Sequence, residues 1–226
     1  MTSETPASVA IAIMAKAPRA GQVKTRLCPP LTAEEAAALY RSFLADKIAQ
    51  IRTLRAARPA IAFTPEDERG AFESLAPGFH LVLQRGPDLG SRLLNGLTEL
   101  LGDGTTAAVA VDSDTPTLPT AFLQQAIDLL VLGQVDVVLG PTEDGGYYLI
   151  GVRRAHPELF SGIPWSTPGV LSETLARAGA AGLRTVCLPP WFDVDTPADL
   201  QRLRAALAHP GGEAEHTRKF LTTRAP

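Results

Sequence analysis

Cysteine and histidine are scarce in this sequence, which has two cysteines and four histidines among its 226 residues. Cys28 and Cys187 are too few and too scattered to indicate a disulfide framework or a zinc site, and their scarcity fits a reducing compartment. None of the histidines pairs with a cysteine or another histidine at metal-ligand spacing. Hydrolysis through a covalent serine is also disfavoured, because the chain has no recognisable nucleophile elbow.

The sequence also lacks an excess of positive charge and a long apolar run. Its net charge is -3 and its pI is about 5.8, so we expect no nucleic-acid partner, and any cationic site should be local and serve a small anion. No apolar run reaches transmembrane length. The segment before the first apolar run contains Glu4 and no lysine or arginine, and Pro18 would directly follow the signal-peptide cleavage site. Both features argue against a secretion signal. We expect a cytoplasmic protein with no membrane partner.

The chain alternates apolar runs with segments of helical period along most of its length. Predicted strands cover residues 9–14, 59–64, 81–84, 107–111, 135–140, 147–152 and 184–188, and helical patterns separate most of them. Parallel strands need crossover connections, so this alternation predicts an α/β fold with a mostly parallel central sheet and helices on both faces. We expect one domain over residues 1–209. Residues 210–226 show no period and predict a flexible tail.

The loop after the first strand, "KAPRAGQVKTRL", is strongly basic. Ligands of such sheets bind beyond the carboxyl ends of the strands, which makes this loop a candidate site. Gly21 allows close approach of the backbone to a ligand, and Lys16, Arg19, Lys24 and Arg26 are suited to surround phosphate oxygens. The alternative is a set of charges that only solvates a surface loop. The spacing matches neither a Walker loop nor a dinucleotide fingerprint.

Two acidic turns, "DSDTP" and "DVDTP", follow later strands. Asp112 and Asp114 come after the apolar strand 107–111, and alternate residues of an extended chain point to one side, so both carboxylates are expected to face one cation. Hard oxygen ligands without histidine or cysteine suit Mg²⁺ or Mn²⁺. Asp193 and Asp195 repeat the pattern near the end of the chain. Helix or turn capping is the competing explanation at both turns.

Three further loops carry candidate ligand residues. In "GPTEDGGYYLIG", Asp144 offers a carboxylate beside Gly145 and Gly146, although a tight hairpin turn explains these glycines equally well. In "IPWSTP", Trp165 is placed to stack on a base or sugar, or else to cover the edge of the core.

The third of these loops is "QRGPDLGSR". It puts Asp88, Gly90 and Arg92 at the start of a helix, where Asp88 can form the N-terminal cap and Arg92 a solvated charge.

These motifs, in this order, resemble the family called radical-SAM/selenodomain-associated transferase 1, and the likeness runs from about residue 9 to about residue 207. That family is a GT-A-like group of the nucleotide-diphospho-sugar transferase superfamily, and some members are labelled arsenosugar-biosynthesis glycosyltransferases. The chain is similar, more distantly, to 2-phospho-L-lactate and molybdenum-cofactor guanylyltransferases. The resemblance implies a Rossmann-type sandwich in which Lys24 and Arg26 hold phosphates. It also implies a metal on Asp114, with Asp195 as a further ligand.

The expected function is therefore a metal-dependent transfer from a nucleotide-activated donor. A glycosyltransferase would take a sugar from a nucleotide-sugar to a small-molecule acceptor. Mg²⁺ or Mn²⁺ on Asp112 and Asp114 would then neutralise the leaving diphosphate, and Lys24 and Arg26 would assist. Asp144 would orient or deprotonate the acceptor. A nucleotidylyltransferase acting on a nucleoside triphosphate is the alternative that the basic first loop favours. A non-catalytic nucleotide-binding protein is the third possibility.

Overall fold

A computed structural model describes residues 8–102, 104–208 and 212–223 of the chain. The strands are β1 (Val9–Lys16), β2 (Ala57–Thr64), β3 (His80–Leu83), β4 (Ala107–Val111), β5 (Val137–Pro141), β6 (Tyr147–Val152) and β7 (Thr185–Cys187). The helices are α1 (Ala33–Arg52), α2 (Arg69–Leu75), α3 (Leu89–Gly102), α4 (Thr120–Val131), α5 (Val170–Ala180), α6 (Pro197–Ala206) and α7 (Glu215–Thr222). The bounds of the predicted strands agree with these to within a few residues.

All seven strands form one sheet in the order β3-β2-β1-β4-β6-β5-β7. Only β6 is antiparallel to its neighbours, while the other strand pairs are parallel. Residues 142–146 join β5 to β6, and so short a connection can only form a hairpin, since a parallel crossover needs a dozen residues or more. The hairpin loop therefore lies at the edge of the sheet where β1 and β4 end.

Helices cover both faces of the sheet, as the alternating pattern predicts. Along β1, Ile11 and Ile13 face a core that includes residues of α1, α2, α4 and α6. Ala10 and Ala12 face the opposite core, to which α3 and α5 contribute. This period of two reflects the alternation of side chains in a strand. Throughout the described ranges, no helix has both the length and the apolar character needed to cross a membrane.

Helix α1 begins at the predicted capping box, where Thr32 and Glu35 exchange hydrogen bonds. Its buried side also carries polar residues, which hold the loop after β4. The Lys47 ammonium donates to the carbonyl oxygen of Thr115 at 3.0 Å and to its hydroxyl at 3.2 Å. The Gln50 amide donates to the carbonyl oxygen of Leu118 at 2.5 Å. One helix thus fixes the loop that contains the first acidic turn.

The structure corrects the expectation of a flexible tail for residues 212–223. Helix α7 packs on α1, and the buried carboxylate of Asp46 accepts hydrogen bonds from the backbone N–H groups of His216 and Thr217 at 2.7 and 2.9 Å. The hydroxyl of Thr217 donates to the same carboxylate at 2.5 Å. Asp46, which caps the helix, lies 170 positions earlier in the chain than His216, so no local sequence signal indicates where α7 begins. Residues 210–211 and 224–226 of the predicted tail lie outside the described residues.

Candidate functional site

A cavity of about 460 Å³ opens at the edge of the sheet where β1, β3 and β4 end. Its walls come from loops that are far apart in the sequence but meet at this edge. They include the predicted site residues Lys16, Lys24, Arg26, Arg92, Asp112, Asp114 and Asp195. The place agrees with the rule that ligands of open α/β sheets bind beyond the carboxyl ends of the strands.

Lys24 joins the basic loop to both acidic turns. Its ammonium nitrogen lies 2.5 Å from Asp114 Oδ1 and 2.9 Å from Asp195 Oδ1, and it donates to the carbonyl oxygen of Val194 at 2.9 Å. Burial alone would lower the pKa of Lys24, but the charges of Asp114 and Asp195 outweigh it and hold that pKa above its ordinary value. The three loops that the sequence singles out therefore meet around one side chain.

The other cations of the first loop separate into two groups. Lys16 and Arg26 line the cavity, and Arg26 lies 3.5 Å from Asp195 Oδ2. Arg19 instead pairs with Asp67 at 2.8 Å and with Glu68 at 2.5 Å, away from the cavity. Gly21 adopts a φ of +74° in an exposed turn and is absent from the cavity wall, so its glycine serves the turn conformation. The loop brings fewer charges to the cavity than its sequence implies.

Asp112 has surroundings quite different from those of Asp114. Its carboxylate accepts a hydrogen bond from the Thr115 hydroxyl at 2.6 Å, and the same hydroxyl accepts from Lys47. Burial raises the pKa of Asp112 to about 7, although the nearby Lys47 charge acts in the opposite direction. Asp112 is connected through the Thr115 hydroxyl to the buried Lys47 of α1, whereas Asp114 contacts Lys24, so the two carboxylates of this turn have different partners.

The hairpin between β5 and β6 holds Asp144, Gly145 and Gly146. Asp144 Oδ1 accepts hydrogen bonds from the Thr142 hydroxyl at 2.5 Å and from the Gly146 N–H at 3.0 Å, which is the turn chemistry of the plain hairpin alternative. Gly145 has a φ of +93°, and a Cβ there would collide with the carbonyl of Pro168. Gly145 is required by the turn and its packing, whereas a Cβ at Gly146 would meet only the side chains of Thr142 and Asp144. The role of Asp144 towards an acceptor stays a prediction.

The residues at the start of α3 contribute unequally to the cavity. Asp88 caps the helix by accepting from the N–H of Ser91 at 2.7 Å. Gly90 packs against Trp165, whose indole nitrogen would lie 2.6 Å from a Cβ at that position. Trp165 also meets Tyr147 edge to face at 6.4 Å and is absent from the cavity wall, so it covers the core edge as the alternative reading holds. Of the four predicted site residues Asp88, Gly90, Arg92 and Trp165, only Arg92 lines the cavity.

Two polar residues near the site, Lys47 and Asp193, have buried surroundings that the sequence alone indicates only weakly. Lys47 is fully buried, and its sequence signal is a position on the apolar face of α1 between Leu44 and Ile51. Asp193 belongs to the second acidic turn. Burial, followed by the charges of Asp144 and Asp195, raises its pKa to about 6. Asp193 thus lies among the other carboxylates of this region.

Asp114 and Asp195 fit the requirements of a hard divalent cation. Both carboxylates already direct an oxygen at the same positively charged atom, Lys24 Nζ. Within the part of the chain that the structure describes, no three His, Cys, Asp or Glu side chains form a complete metal site. Mg²⁺ commonly binds through one or two carboxylates together with substrate phosphates and water, so a pair of aspartates is sufficient.

A protein family matches residues 47–167, which is more than half of the chain. Its description reads "Uncharacterized protein conserved in bacteria (DUF2064)". The chain belongs to this family. No curated protein matches the sequence. The narrower radical-SAM/selenodomain-associated group stays an expectation for this member of the DUF2064 family.

Several solved structures share the fold of this DUF2064 protein. A crystal structure of a "putative nucleotide-diphospho-sugar transferase" from Desulfovibrio desulfuricans G20 is 33% identical, with a TM-score of 0.89, and the match covers 96% of this chain and 95% of that one. A CMP:2-keto-3-deoxy-manno-octonic acid synthetase in complex with CTP has a TM-score of 0.58 at 14% identity, covering 89% and 99% of the two chains.

A glucosyl-3-phosphoglycerate synthase from Mycobacterium tuberculosis, in complex with Mn²⁺ and uridine diphosphate, has a TM-score of 0.53 at 14% identity. That match covers 96% of this chain and 78% of the other. The fold is therefore the GT-A-like α/β sandwich, and a cytidylyltransferase from Leptospira borgpetersenii also shares it, with a TM-score of 0.58 at 12% identity.

Proposed function

We propose that this protein is a transferase that uses a nucleotide-activated donor, and specifically a glycosyltransferase that acts on a nucleotide-sugar and a small-molecule acceptor. The observation that carries the proposal is the meeting of Lys24, Asp114 and Asp195 on one wall of a cavity at the carboxyl ends of the strands. Cationic and acidic loops at this place are what a divalent ion and a diphosphate together require. The 33% identical relative with the transferase name supports the same class.

The proposal assigns parts to five residues of the cavity wall and to Asp144 of the neighbouring hairpin. Asp114 and Asp195 would hold Mg²⁺ or Mn²⁺, which supplies positive charge to the leaving diphosphate when bound. Lys16, Arg26 and Arg92 line the same cavity and would bind phosphate oxygens, with the guanidinium groups able to contact two oxygens at once. Asp144 at the hairpin would orient the acceptor hydroxyl or take its proton.

Nucleotidyl transfer remains the second candidate because a solved cytidylyltransferase shares this fold. The structure weakens the argument from charge that favours it, since Arg19 pairs with Asp67 and Glu68 outside the cavity. A triphosphate would need more cationic groups than a nucleotide-sugar does. The two reactions differ in product, because only nucleotidyl transfer releases pyrophosphate.

The decisive experiment is a thermal-shift panel of nucleotide-sugars and nucleoside triphosphates with and without Mn²⁺, followed by turnover assays on the ligands that bind. A donor at about 100 times its Kd stabilises the fold by about 2.7 kcal/mol. For a chain of this size that free energy raises the Tm by about 5–11 °C. Asp114→Asn should abolish the Mn²⁺-dependent part of the shift. The matched control is Asp128→Asn on the exposed side of α4, which should keep it.

The turnover assays separate the three functions. Sugar transfer or slow donor hydrolysis without pyrophosphate supports the glycosyltransferase, and pyrophosphate release from a triphosphate supports the second candidate. Metal-dependent binding without turnover of any bound donor favours a non-catalytic nucleotide-binding protein. If no nucleotide or nucleotide-sugar shifts the Tm under any condition, the proposal is wrong.

A further inference from the structure

The ammonium group of Lys24 is buried and has three close oxygen neighbours. Asp114 Oδ1, Asp195 Oδ1 and the carbonyl oxygen of Val194 lie 2.5, 2.9 and 2.9 Å from its nitrogen. The side chain is 4% exposed, and the ring of Phe43 covers a further side, with its centroid 5.7 Å from the nitrogen. An ammonium has three N–H donors, so three oxygens at these distances match its full donor capacity.

This arrangement has a consequence for the phosphate-binding role of Lys24. Hydrogen bonds to Asp195 and Val194, together with the close ion pair to Asp114, leave the ammonium no free N–H group for a phosphate oxygen. The two aspartate oxygens are also the ones proposed to bind the divalent ion. A dication bound to both oxygens would lie close to the ammonium nitrogen. The repulsion between two positive charges that close together is strong in a partly buried site.

We propose that Lys24 and the divalent ion are alternative occupants of one cation site formed by Asp114, Asp195 and the carbonyl of Val194. Metal binding displaces the Lys24 ammonium into the cavity, where its three donors become available to the phosphates of the donor. This inference rests on the proposed function for the identity of the phosphate ligand. The exchange of cations concerns only the residues of this chain and the metal.

The exchange couples metal binding to nucleotide binding. Metal alone must displace an ammonium that already has three oxygen partners, so the affinity for metal alone is low. When phosphates are present, the displaced ammonium gains new acceptors, which offsets that cost. Metal and nucleotide therefore increase each other's affinity by the same factor, as linkage requires. Lys24 is the residue through which this coupling passes.

The test is a titration of the nucleotide-free protein with Mn²⁺, in which free Mn²⁺ is measured by electron paramagnetic resonance. Lys24→Met removes the competing cation while keeping a side chain of similar length. We expect it to bind Mn²⁺ at least 10-fold more tightly than the wild type. Arg26→Met is the matched control, since Arg26 is 69% exposed and lies 3.5 Å from Asp195 without entering between the carboxylates. Its affinity should change by less than about 3-fold, because an exposed charge is screened.

Several results would overturn the exchange. They are an unchanged or weaker Mn²⁺ affinity of Lys24→Met, an equal gain in Arg26→Met, or no Mn²⁺ binding by any of these proteins at millimolar concentration. If Lys24→Met fails to fold, Lys24→Gln serves in its place. A crystal structure of the wild type with Mn²⁺ gives an independent answer. The Lys24 ammonium must then have left Asp114, and a retained 2.5 Å contact beside a bound ion refutes the proposal.

Failure of the proposed function would look different. If Lys24→Met gains Mn²⁺ affinity but no nucleotide binds to either protein, the cation exchange stands and the nucleotide-donor function falls. If the wild type transfers from a donor but Lys24→Met shows no gain, the function stands and the exchange falls.

Discussion

Replacing the buried Lys47 with methionine tests how the acidic turn after β4 is supported. Lys47 is 1% exposed, donates to both the carbonyl and the hydroxyl of Thr115, and provides the nearby positive charge for Asp112. Lys47 and Asp112 are opposite buried charges bridged by the Thr115 hydroxyl. Removing one partner of a buried charge pair typically costs about 3–5 kcal/mol, because the other partner remains buried without compensation. Methionine fills a similar volume without a charge, and its apolar packing offsets part of this loss. We therefore expect the free energy of unfolding to fall by about 3 kcal/mol at pH 7.5.

The cost should depend on pH. Burial already raises the pKa of Asp112 to about 7 in the wild type, above its value in the unfolded chain, so the folded state binds the extra proton. The penalty for a buried carboxylate therefore grows as the pH rises from the unfolded pKa to the folded one. Without Lys47 the folded pKa rises further, and the penalty continues to grow past pH 7. The stability difference between the variant and the wild type should be smaller at pH 5.5 than at pH 7.5.

Urea denaturation at both pH values measures these differences directly. At pH 7.5, a loss of about 3 kcal/mol corresponds to a fall in Tm of about 6–12 °C for a chain of this size. Lys219→Met on the exposed side of α7 is the control and should change stability by less than about 0.5 kcal/mol. A Lys47→Met protein that is as stable as the wild type at pH 7.5, or one whose deficit is larger at pH 5.5, would refute the reasoning.

Two further substitutions test other parts of the structure by urea denaturation. Asp46→Ala removes the acceptor of three hydrogen bonds at the start of α7 and should lower the free energy of unfolding by about 2–4 kcal/mol. Asp128→Ala, at an exposed position, should lower it little, and equal losses would contradict the stabilising role of the Asp46 cap. Gly145→Ala combines a φ of +93° with a collision at Pro168 and should cost more than 2 kcal/mol. Gly182→Ala, at a φ of +67° with no atom near its Cβ, should cost only about 1 kcal/mol; a smaller loss at Gly145 than at Gly182 would show that the Pro168 contact is unimportant.

The parts of the fold that depend on local patterns could be predicted from the sequence. The strand 107–111 and the strand 147–152 were recognisable because they are apolar runs bounded by turn residues. The capping box of Thr32 and Glu35 is likewise a local signal, and the structure confirms it. Helix α7 was missed because Asp46, which caps it, lies in a different helix. Local patterns carry no information about such a partner.

The candidate site, too, could be predicted only in part from the sequence. The meeting of the basic loop with the two acidic turns followed from the rule that ligands bind where the strands end, and the contacts of Lys24 agree with it. The sequence could not indicate which cations would turn away from the cavity, as Arg19 does towards Asp67. It also could not show that Lys24 lies between the carboxylates expected to hold the metal, because that depends on distances between residues of different loops.

A single turn of α1 supplies Asp46, Lys47 and Gln50, which reach the last described helix and the loop carrying the first acidic turn. Each residue of an α-helix is rotated by about 100° from its neighbour. One insertion or deletion earlier in α1 would therefore swing all three side chains away from their partners together. In related sequences, α1 should accept substitutions upstream of this turn far more readily than any change in length.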